Sequence, residues 1–223
     1  MKLAIYDFDG TIFEKETLPF IVKYYGKKRY STFRLIRFYL QVIRLLAVYK
    51  LRLDPRMDKE RFRAEASVQF MHLFDDMTKE EIVIFFRDCT TELIQHFNPK
   101  VVESIQERKA EGCHTVICSG ANTLLLNEIV KHLPVDTIIG TELVFLPDGT
   151  FDFDADITIV TGKNKPTALL KTFDEKTIDW DNSFAYGDSH YDHHILRLTG
   201  NPVAVNPDEK LKEIALEQNW SII

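Results

Sequence analysis

The sequence predicts an α/β fold, in which a parallel sheet carries helices on both faces, together with a separate unit built only of helices. Short apolar segments alternate with helical patterns in the second half of the chain, and this alternation is typical of a parallel sheet. Another apolar segment opens the sequence. Between this segment and residue 96, the patterns are helical and no strand pattern is visible.

The predicted strands are short and largely apolar, as expected for strands that are buried on both faces. The first starts at Lys2 and leads into Asp7, and the others lie at residues 115–118, 137–139, 183–186 and 203–205. Helices are predicted at residues 101–111, 122–133, 166–173 and 208–218. The dipeptide Asp148-Gly149 joins two alternating stretches and predicts a hairpin.

The inserted unit is predicted to contain four helices, because apolar residues recur there at helical spacing between turn signals. Three of them are predicted at residues 17–26, 31–53 and 58–74, with Asp58 as the start of the third. Thr78 and Glu81 form a capping box that begins the fourth. We therefore expect a discontinuous core, residues 1–13 and 95–223, interrupted by a helical domain at residues 14–94.

The net charge of −6 is unevenly distributed along the chain. Between Lys27 and Arg63, twelve basic residues accompany three acidic ones, so this block carries a charge of +9 and the rest carries −15. A basic block within an acidic chain indicates a unit with a partner of its own.

The cysteines and the first residues predict a cytoplasmic location. Cys89, Cys113 and Cys118 have no metal-ligand spacing, and we expect them to be reduced and buried. The apolar start is too short for a signal peptide, and Asp7 and Asp9 interrupt it.

Asp7 and Asp9 stand where the first predicted strand ends. Side chains alternate along a strand, so both carboxylates leave it on the same side, at the edge where α/β sheets bind ligands. Such carboxylates repel each other unless a cation joins them, and oxygen ligands suit Mg²⁺. The pattern therefore favours a magnesium site for a phosphorylated ligand. The alternative is that Asp9-Gly10 simply forms a turn.

Three further motifs follow in order along the chain. They are Ser119-Gly120, which is predicted to form a turn after a strand, a lysine at a helix start, and Gly187-Asp188-Ser189 with Asp192 after another strand. Together with Asp7-Phe8-Asp9-Gly10-Thr11, this ordered set resembles the haloacid dehalogenase superfamily, most closely its phosphoserine phosphatase branch. The resemblance implies a Rossmann-like core with an all-helical cap inserted after the first motif.

The resemblance also implies a Mg²⁺-dependent phosphatase with an aspartyl-phosphate intermediate. Asp7 would be the nucleophile and a metal ligand. Asp9 would be the general acid and base, and would meet the metal through its backbone carbonyl. Asp188 would be the third metal ligand. Asp192 would either touch the metal or orient Lys165.

Phosphate binding is expected at Thr11, Ser119 and Gly120, and Ser119 could cap a helix, a role that is compatible with phosphate binding. Two lysines could contact the phosphate, because the sequence reads Gly162-Lys163-Asn164-Lys165-Pro166. We favour Lys165, since Pro166 suits the first position of a helix and would place Lys165 at its entrance. Lys163 remains the alternative.

The expected substrate is a small phosphorylated metabolite similar to phosphoserine. By this resemblance, Glu16 matches the position of a glutamate that contacts the substrate amine in phosphoserine phosphatases. The alternative is that Glu16 is a solvated residue near a helix start. The sequence departs from that branch in two respects. No arginine stands at a matching position for a substrate carboxylate, and Ser189-His190-Tyr191 differs from the usual fourth motif.

The helix at residues 31–53 offers another interpretation. Arg34, Arg37, Gln41 and Arg44 form a stripe on an otherwise apolar helix, with charges too frequent for a membrane span. The helix either packs within the cap or makes peripheral contact with an anionic membrane. In the second case, a phosphorylated lipid or its headgroup becomes an alternative substrate. A phosphotransferase is a further alternative. No nucleic-acid partner is expected, and the oligomeric state is left open.

Overall fold

The computed structural model describes residues 1–57, 59–75, 77–153 and 155–223. These residues divide into two compact units. The first unit comprises Met1–Glu16, Val83–Val144 and Asp154–Ile223, and the second comprises Thr17–Ile82 and Phe145–Phe153. The predicted domain boundaries, residues 1–13 and 95–223 for the core and 14–94 for the cap, stay a prediction.

The first unit contains a six-stranded parallel sheet with the strand order β3-β2-β1-β4-β5-β6. The strands are β1 (Leu3–Tyr6), β2 (His114–Asn122), β3 (Thr137–Thr141), β4 (Phe184–Gly187), β5 (Asn201–Ala204) and β6 (Ser221–Ile222). The chain adds strands on one side of β1 and then on the other. The carboxyl ends of β1 and β4 therefore form the switch point at which such sheets bind ligands. The predicted α/β fold class is confirmed.

Among the described residues, five α-helices lie wholly within the first unit. They are α5 (Pro99–Ala110), α6 (Thr123–Ile129), α7 (Asn164–Thr172), α8 (His193–Leu196) and α9 (Glu209–Glu217). One face of the sheet buries Leu3 and Ile5 of β1 in a cluster that also contains Leu169 of α7 and Leu211 of α9. The three cysteines are free and buried, as the sequence predicts.

Two local expectations for the core are wrong. Ser119-Gly120 is not a turn, because β2 continues to Asn122 through a register shift between its pairs with β3 at Cys118 and Asn122. Helix α7 begins at Asn164, so Pro166 occupies the third helical position. A proline is tolerated there because the first turn of a helix has no intrahelical partner for its N–H groups.

The predicted hairpin at residues 148–149 is a tight turn. Gly149 has a φ of 84°, and Leu146 and Thr150 are joined by a backbone hydrogen bond of 2.8 Å. An antiparallel bridge joins the flanking residues Phe145 and Phe151, and Thr150 forms another with Thr78.

The second unit is predominantly helical. It contains α1 (Thr17–Lys27), α2 (Thr32–Lys50) and α3 (Lys59–Met71), followed by a short 3-10 helix (His72–Phe74) and the start of α4 (Lys79–Leu93). Asp58, the predicted start of the third helix, lies outside the described residues.

Three hydrogen bonds help to fix the ends and the packing of these helices. The capping box that begins α4 is confirmed, since the Thr78 N–H donates to the Glu81 carboxylate at 2.8 Å and the Glu81 N–H donates to Thr78 Oγ1 at 3.4 Å. The buried Tyr25 hydroxyl of α1 donates to the Leu73 carbonyl at 3.0 Å.

Of the helices that the structure describes, none is long and apolar enough to cross a membrane.

Candidate active site

Three carboxylates meet at the switch point of the sheet. Asp7 follows β1 and Asp188 follows the neighbouring β4, and the Asp7 N–H donates to the Tyr186 carbonyl at 2.9 Å. One side-chain oxygen from each of Asp7, Asp188 and Asp192 lies within 4.8 Å of the other two. A set of carboxylate oxygens at this spacing suits a hard cation such as Mg²⁺.

Two glycines allow this close approach. Gly10 has a φ of 74°, and a Cβ atom at this position would overlap the Asp188 carboxylate. At Gly187, a Cβ atom would lie 2.6 Å from the Cβ of Asp192. This role of the two glycines was not predicted from the sequence. The sequence feature that could have indicated the role of Gly10 is its position directly after Asp9 and before Thr11.

Lys165 neutralises part of the acidic cluster. Its Nζ lies 2.7 Å from Asp7 Oδ1 and 2.5 Å from Asp192 Oδ1, and all three side chains are largely buried. Asp192 is held in turn by Ser189, whose N–H and hydroxyl donate to Asp192 Oδ2 at 3.2 and 3.0 Å. The Lys163 side chain is exposed at the start of α7. The structure thus brings Lys165 to Asp7.

The pKa values in this cluster reflect a shortage of positive charge. Burial and the charge of Asp192 raise the pKa of Asp7 to about 6, although Lys165 opposes the rise. Burial and the charges of Asp7 and Asp192 raise the pKa of Asp188 to about 8. Burial alone would lower the pKa of Lys165, but Asp192 and Asp7 outweigh it and raise that pKa above its usual value. A divalent cation would supply the missing positive charge.

Thr11 is fully buried one residue after Gly10. Among the described residues, its hydroxyl is one of two buried polar side-chain sites without a hydrogen-bond partner. A buried hydroxyl without a hydrogen-bond partner destabilises the fold unless a bound ligand forms a hydrogen bond with it.

Ser119 and Gly120 lie beyond the point where β2 pairs with β1. The Ser119 hydroxyl is buried and accepts a hydrogen bond from the Ala121 N–H at 3.2 Å. It does not cap α6, because Asn122 is the N-cap and accepts from the Leu125 N–H at 2.9 Å. The helix-cap alternative for Ser119 is therefore wrong.

Asp9 and Glu16 complete the predicted set. Asp9 is half-buried and its backbone forms a bridge with Phe13, but its side chain is not part of the three-carboxylate cluster found in the described residues. Glu16 is exposed, and its charge contributes to the raised pKa of Asp188.

Comparison with known proteins identifies a family and a fold. Residues 4–197 match the model of the haloacid dehalogenase-like hydrolase family. A histidinol-phosphatase from Neisseria meningitidis serogroup C (strain 8013) is 30% identical over 150 residues, which are 66% of this chain and 68% of that relative.

Two solved structures share the fold. A protein of unknown function from Bordetella pertussis Tohama I has a TM-score of 0.80 and 17% identity, with 100% of this chain and 97% of that chain covered. A phosphoserine phosphatase, described as a phospho-aspartyl intermediate analogue, has a TM-score of 0.61 and 20% identity, with 99% and 91% covered. The predicted enzyme class is confirmed by relatives named as phosphatases. The chain belongs to the haloacid dehalogenase-like hydrolase family.

Proposed function

We propose that this enzyme is a Mg²⁺-dependent phosphomonoesterase in which Asp7 is transiently phosphorylated. The observation that carries the proposal is the contact of the buried Asp7 carboxylate with Lys165, beside Asp188 and Asp192. The description of the phosphoserine phosphatase structure as a phospho-aspartyl intermediate analogue supports the same chemistry.

The cluster fits a magnesium ion in donor type and charge. The Asp7 and Asp188 carboxylates, together with the Asp9 backbone carbonyl, would hold Mg²⁺, which supplies positive charge to the reacting phosphoryl group when bound. Asp192 serves mainly to orient Lys165, because one of its oxygens contacts Lys165 while the other accepts from Ser189.

The reaction proceeds in two steps, phosphorylation of Asp7 and hydrolysis of the phosphorylated Asp7. In the first, an Asp7 oxygen attacks phosphorus, the bond between phosphorus and the ester oxygen breaks, and Asp9 gives its proton to the leaving alkoxide. In the second, Asp9 takes a proton from water, whose oxygen attacks phosphorus and releases phosphate from Asp7. Lys165 favours the ionised, nucleophilic form of Asp7 through their 2.7 Å contact.

The phosphoryl oxygens are bound by Lys165, Thr11, Ser119 and the backbone around Gly120. Thr11 is the best supported of the uncharged groups, because its buried hydroxyl has no partner among the described residues. Donors placed where charge develops stabilise the transition state more than the ground state.

The proposed substrate is a small phosphomonoester that carries an amine near the phosphate. Histidinol phosphate and phosphoserine, the compounds named for two relatives, both have an amine on the carbon next to the phosphorylated CH₂ group. The exposed carboxylate of Glu16 would contact this amine. Histidinol phosphate lacks a carboxylate, so it fits a sequence without the matching arginine better than phosphoserine does.

A substrate comparison tests this assignment. Hydrolysis of histidinol phosphate, phosphoserine and p-nitrophenyl phosphate is measured with Mg²⁺, with phosphorylated lipid in vesicles as the alternative class. We expect the amine-bearing esters to have the highest kcat/KM. A preference for the lipid would overturn the small-metabolite assignment. Transfer of phosphate to an added alcohol in place of water would identify a phosphotransferase.

The role of Asp7 is tested by Asp7→Asn, with Asp181→Asn as a control at an exposed aspartate. Asn is similar in size but lacks the nucleophilic carboxylate, so turnover should fall by about 1,000-fold or more while the fold is kept. Activity retained by Asp7→Asn would exclude the mechanism.

A further inference from the structure

Helix α2 carries an exposed apolar face. It consists of six residues spaced three or four apart around Tyr39-Leu40, so they share one side of the helix: Phe33, Ile36, Tyr39, Leu40, Ile43 and Leu46. Phe33 is 76% exposed and Leu40 is 62% exposed. Within α2, only Phe38 is buried. Single exposed apolar residues are common, but a continuous exposed apolar face indicates an interaction surface.

Positive charges border this face. Arg37 and Arg44 are exposed and follow Ile36 and Ile43 directly, so they lie along one edge of the apolar face. Arg37 is 3.6 Å from Asp75, and α2 itself contains four basic residues and no acidic one. The surrounding block, residues 27–63, has a charge of +9.

The exposed apolar face of α2 and the basic residues along its edge together favour one class of partner. An apolar helix face edged by basic residues suits the surface of an anionic membrane, where apolar side chains enter the interface and arginines contact phosphate groups. A second copy of this chain would bring two strongly positive blocks together, which disfavours self-association through α2. We propose that the exposed α2 face docks the enzyme on anionic phospholipid membranes.

Membrane docking through α2 would determine where the enzyme works and is separate from the chemistry at Asp7. A docked enzyme could hydrolyse a soluble metabolite or a phosphorylated lipid headgroup. Binding is therefore measured without substrate, and hydrolysis of p-nitrophenyl phosphate is measured in parallel.

The experiment is co-sedimentation of the full chain with phosphatidylcholine vesicles, with and without phosphatidylglycerol. We expect binding only with phosphatidylglycerol, and weaker binding at high salt. Replacing both Leu40 and Ile43 by Gln should weaken binding by about 25-fold, because two apolar side chains no longer enter the interface. The control is Leu216→Gln on α9, where the leucine is 63% exposed outside the proposed surface.

A charge variant tests the electrostatic part separately. Arg44→Gln should weaken binding by about fivefold at low salt, with no effect at high salt. Lys171→Gln, at an exposed lysine of α7, is the matched control and should bind like the unmodified enzyme. All variants should keep the hydrolysis rate for p-nitrophenyl phosphate.

Several results would overturn the proposal. They are binding that does not depend on phosphatidylglycerol, equal losses in the Leu216 control, and a dimer in solution that the Leu40 and Ile43 changes dissociate. If the double variant melts early, Phe33→Gln provides the same test at the most exposed position of the face. Loss of docking with hydrolysis intact would leave the proposed phosphatase chemistry unaffected.

Discussion

Replacing Lys165 by Met removes the buried ammonium that lies between Asp7 and Asp192. Its Nζ is 2.7 and 2.5 Å from their carboxylate oxygens, and the lysine side chain is only 5% exposed. Met keeps most of the volume, so the change isolates the charge. Three carboxylates would then share the site with no buried cation from Lys165.

The expected cost follows from breaking a buried ion pair, which is typically about 3–5 kcal/mol. For a chain of this size, each kcal/mol lowers Tm by about 2–4 °C, so a loss of about 4 kcal/mol corresponds to about 8–16 °C. The loss should shrink at low pH, because protonation of Asp7 and Asp188 relieves the repulsion.

The assay is thermal unfolding of the metal-free protein near pH 8, with Lys163→Met as the matched control. Lys163 is exposed two residues away, so its replacement should shift Tm by less than about 2 °C. Adding Asp192→Asn to Lys165→Met should recover part of the lost stability, because one unpaired carboxylate is removed. Equal melting of the two lysine variants would refute the proposed role of Lys165 in the cluster.

Three further predictions concern the same site. The raised pKa of Asp188, about 8, means that Mg²⁺ must displace a proton below this pH, so added Mg²⁺ should raise Tm more near pH 8 than near pH 6. Without metal, the folded state binds more protons than the unfolded state, so stability should fall as pH rises toward 8. Calorimetry at both pH values, with and without Mg²⁺, measures these two trends. A larger Mg²⁺-induced rise in Tm at pH 6 than at pH 8 would contradict the first, and metal-free stability that increases toward pH 8 would contradict the second. Gly10→Ala should destabilise the protein by more than Gly112→Ala. Both positions have a positive φ, but of the two only Gly10 faces a side chain, that of Asp188. Equal losses of about 1–2 kcal/mol in the free energy of unfolding, measured by denaturant titration, would show that backbone strain alone is responsible. Thr11→Val should lower kcat about 100-fold with little change in Tm. The control Thr115→Val loses hydroxyl hydrogen bonds to the Pro134 carbonyl at 2.9 Å and the Asp136 carboxylate at 3.0 Å, so it should lower Tm and keep activity. Unchanged kinetics for Thr11→Val would exclude a role of Thr11 in phosphate binding.

The meeting of Asp7 with Asp188 was predictable from the sequence. Each follows a short buried strand, and the carboxyl ends of neighbouring parallel strands meet at one edge of the sheet. The choice between Lys163 and Lys165 was harder, because both stand near the helix start. In the structure, Lys165 Nζ lies 2.7 Å from Asp7 Oδ1 and Lys163 is exposed, which supports the choice of Lys165.

Other features depend on long-range packing and escaped local patterns. The continuation of β2 past Ser119 depends on a register shift with β3, which sequence periodicity does not encode. The helical spacing of α2 was visible, but its inward side is set by tertiary packing, which buries Phe38 and leaves Phe33 exposed. The edge strand β6 has two residues, too few for an alternation pattern.

In the proposed mechanism, Asp7 carries the phosphoryl group during turnover. The most direct measurement is acid quenching of the enzyme during hydrolysis of p-nitrophenyl phosphate with Mg²⁺, followed by mass spectrometry of its peptides. We expect a phosphoryl adduct on the peptide that contains Asp7, labile to hydroxylamine as expected for an acyl phosphate, and no adduct in Asp7→Asn. Turnover without such an adduct, or an adduct that persists in Asp7→Asn, would contradict it.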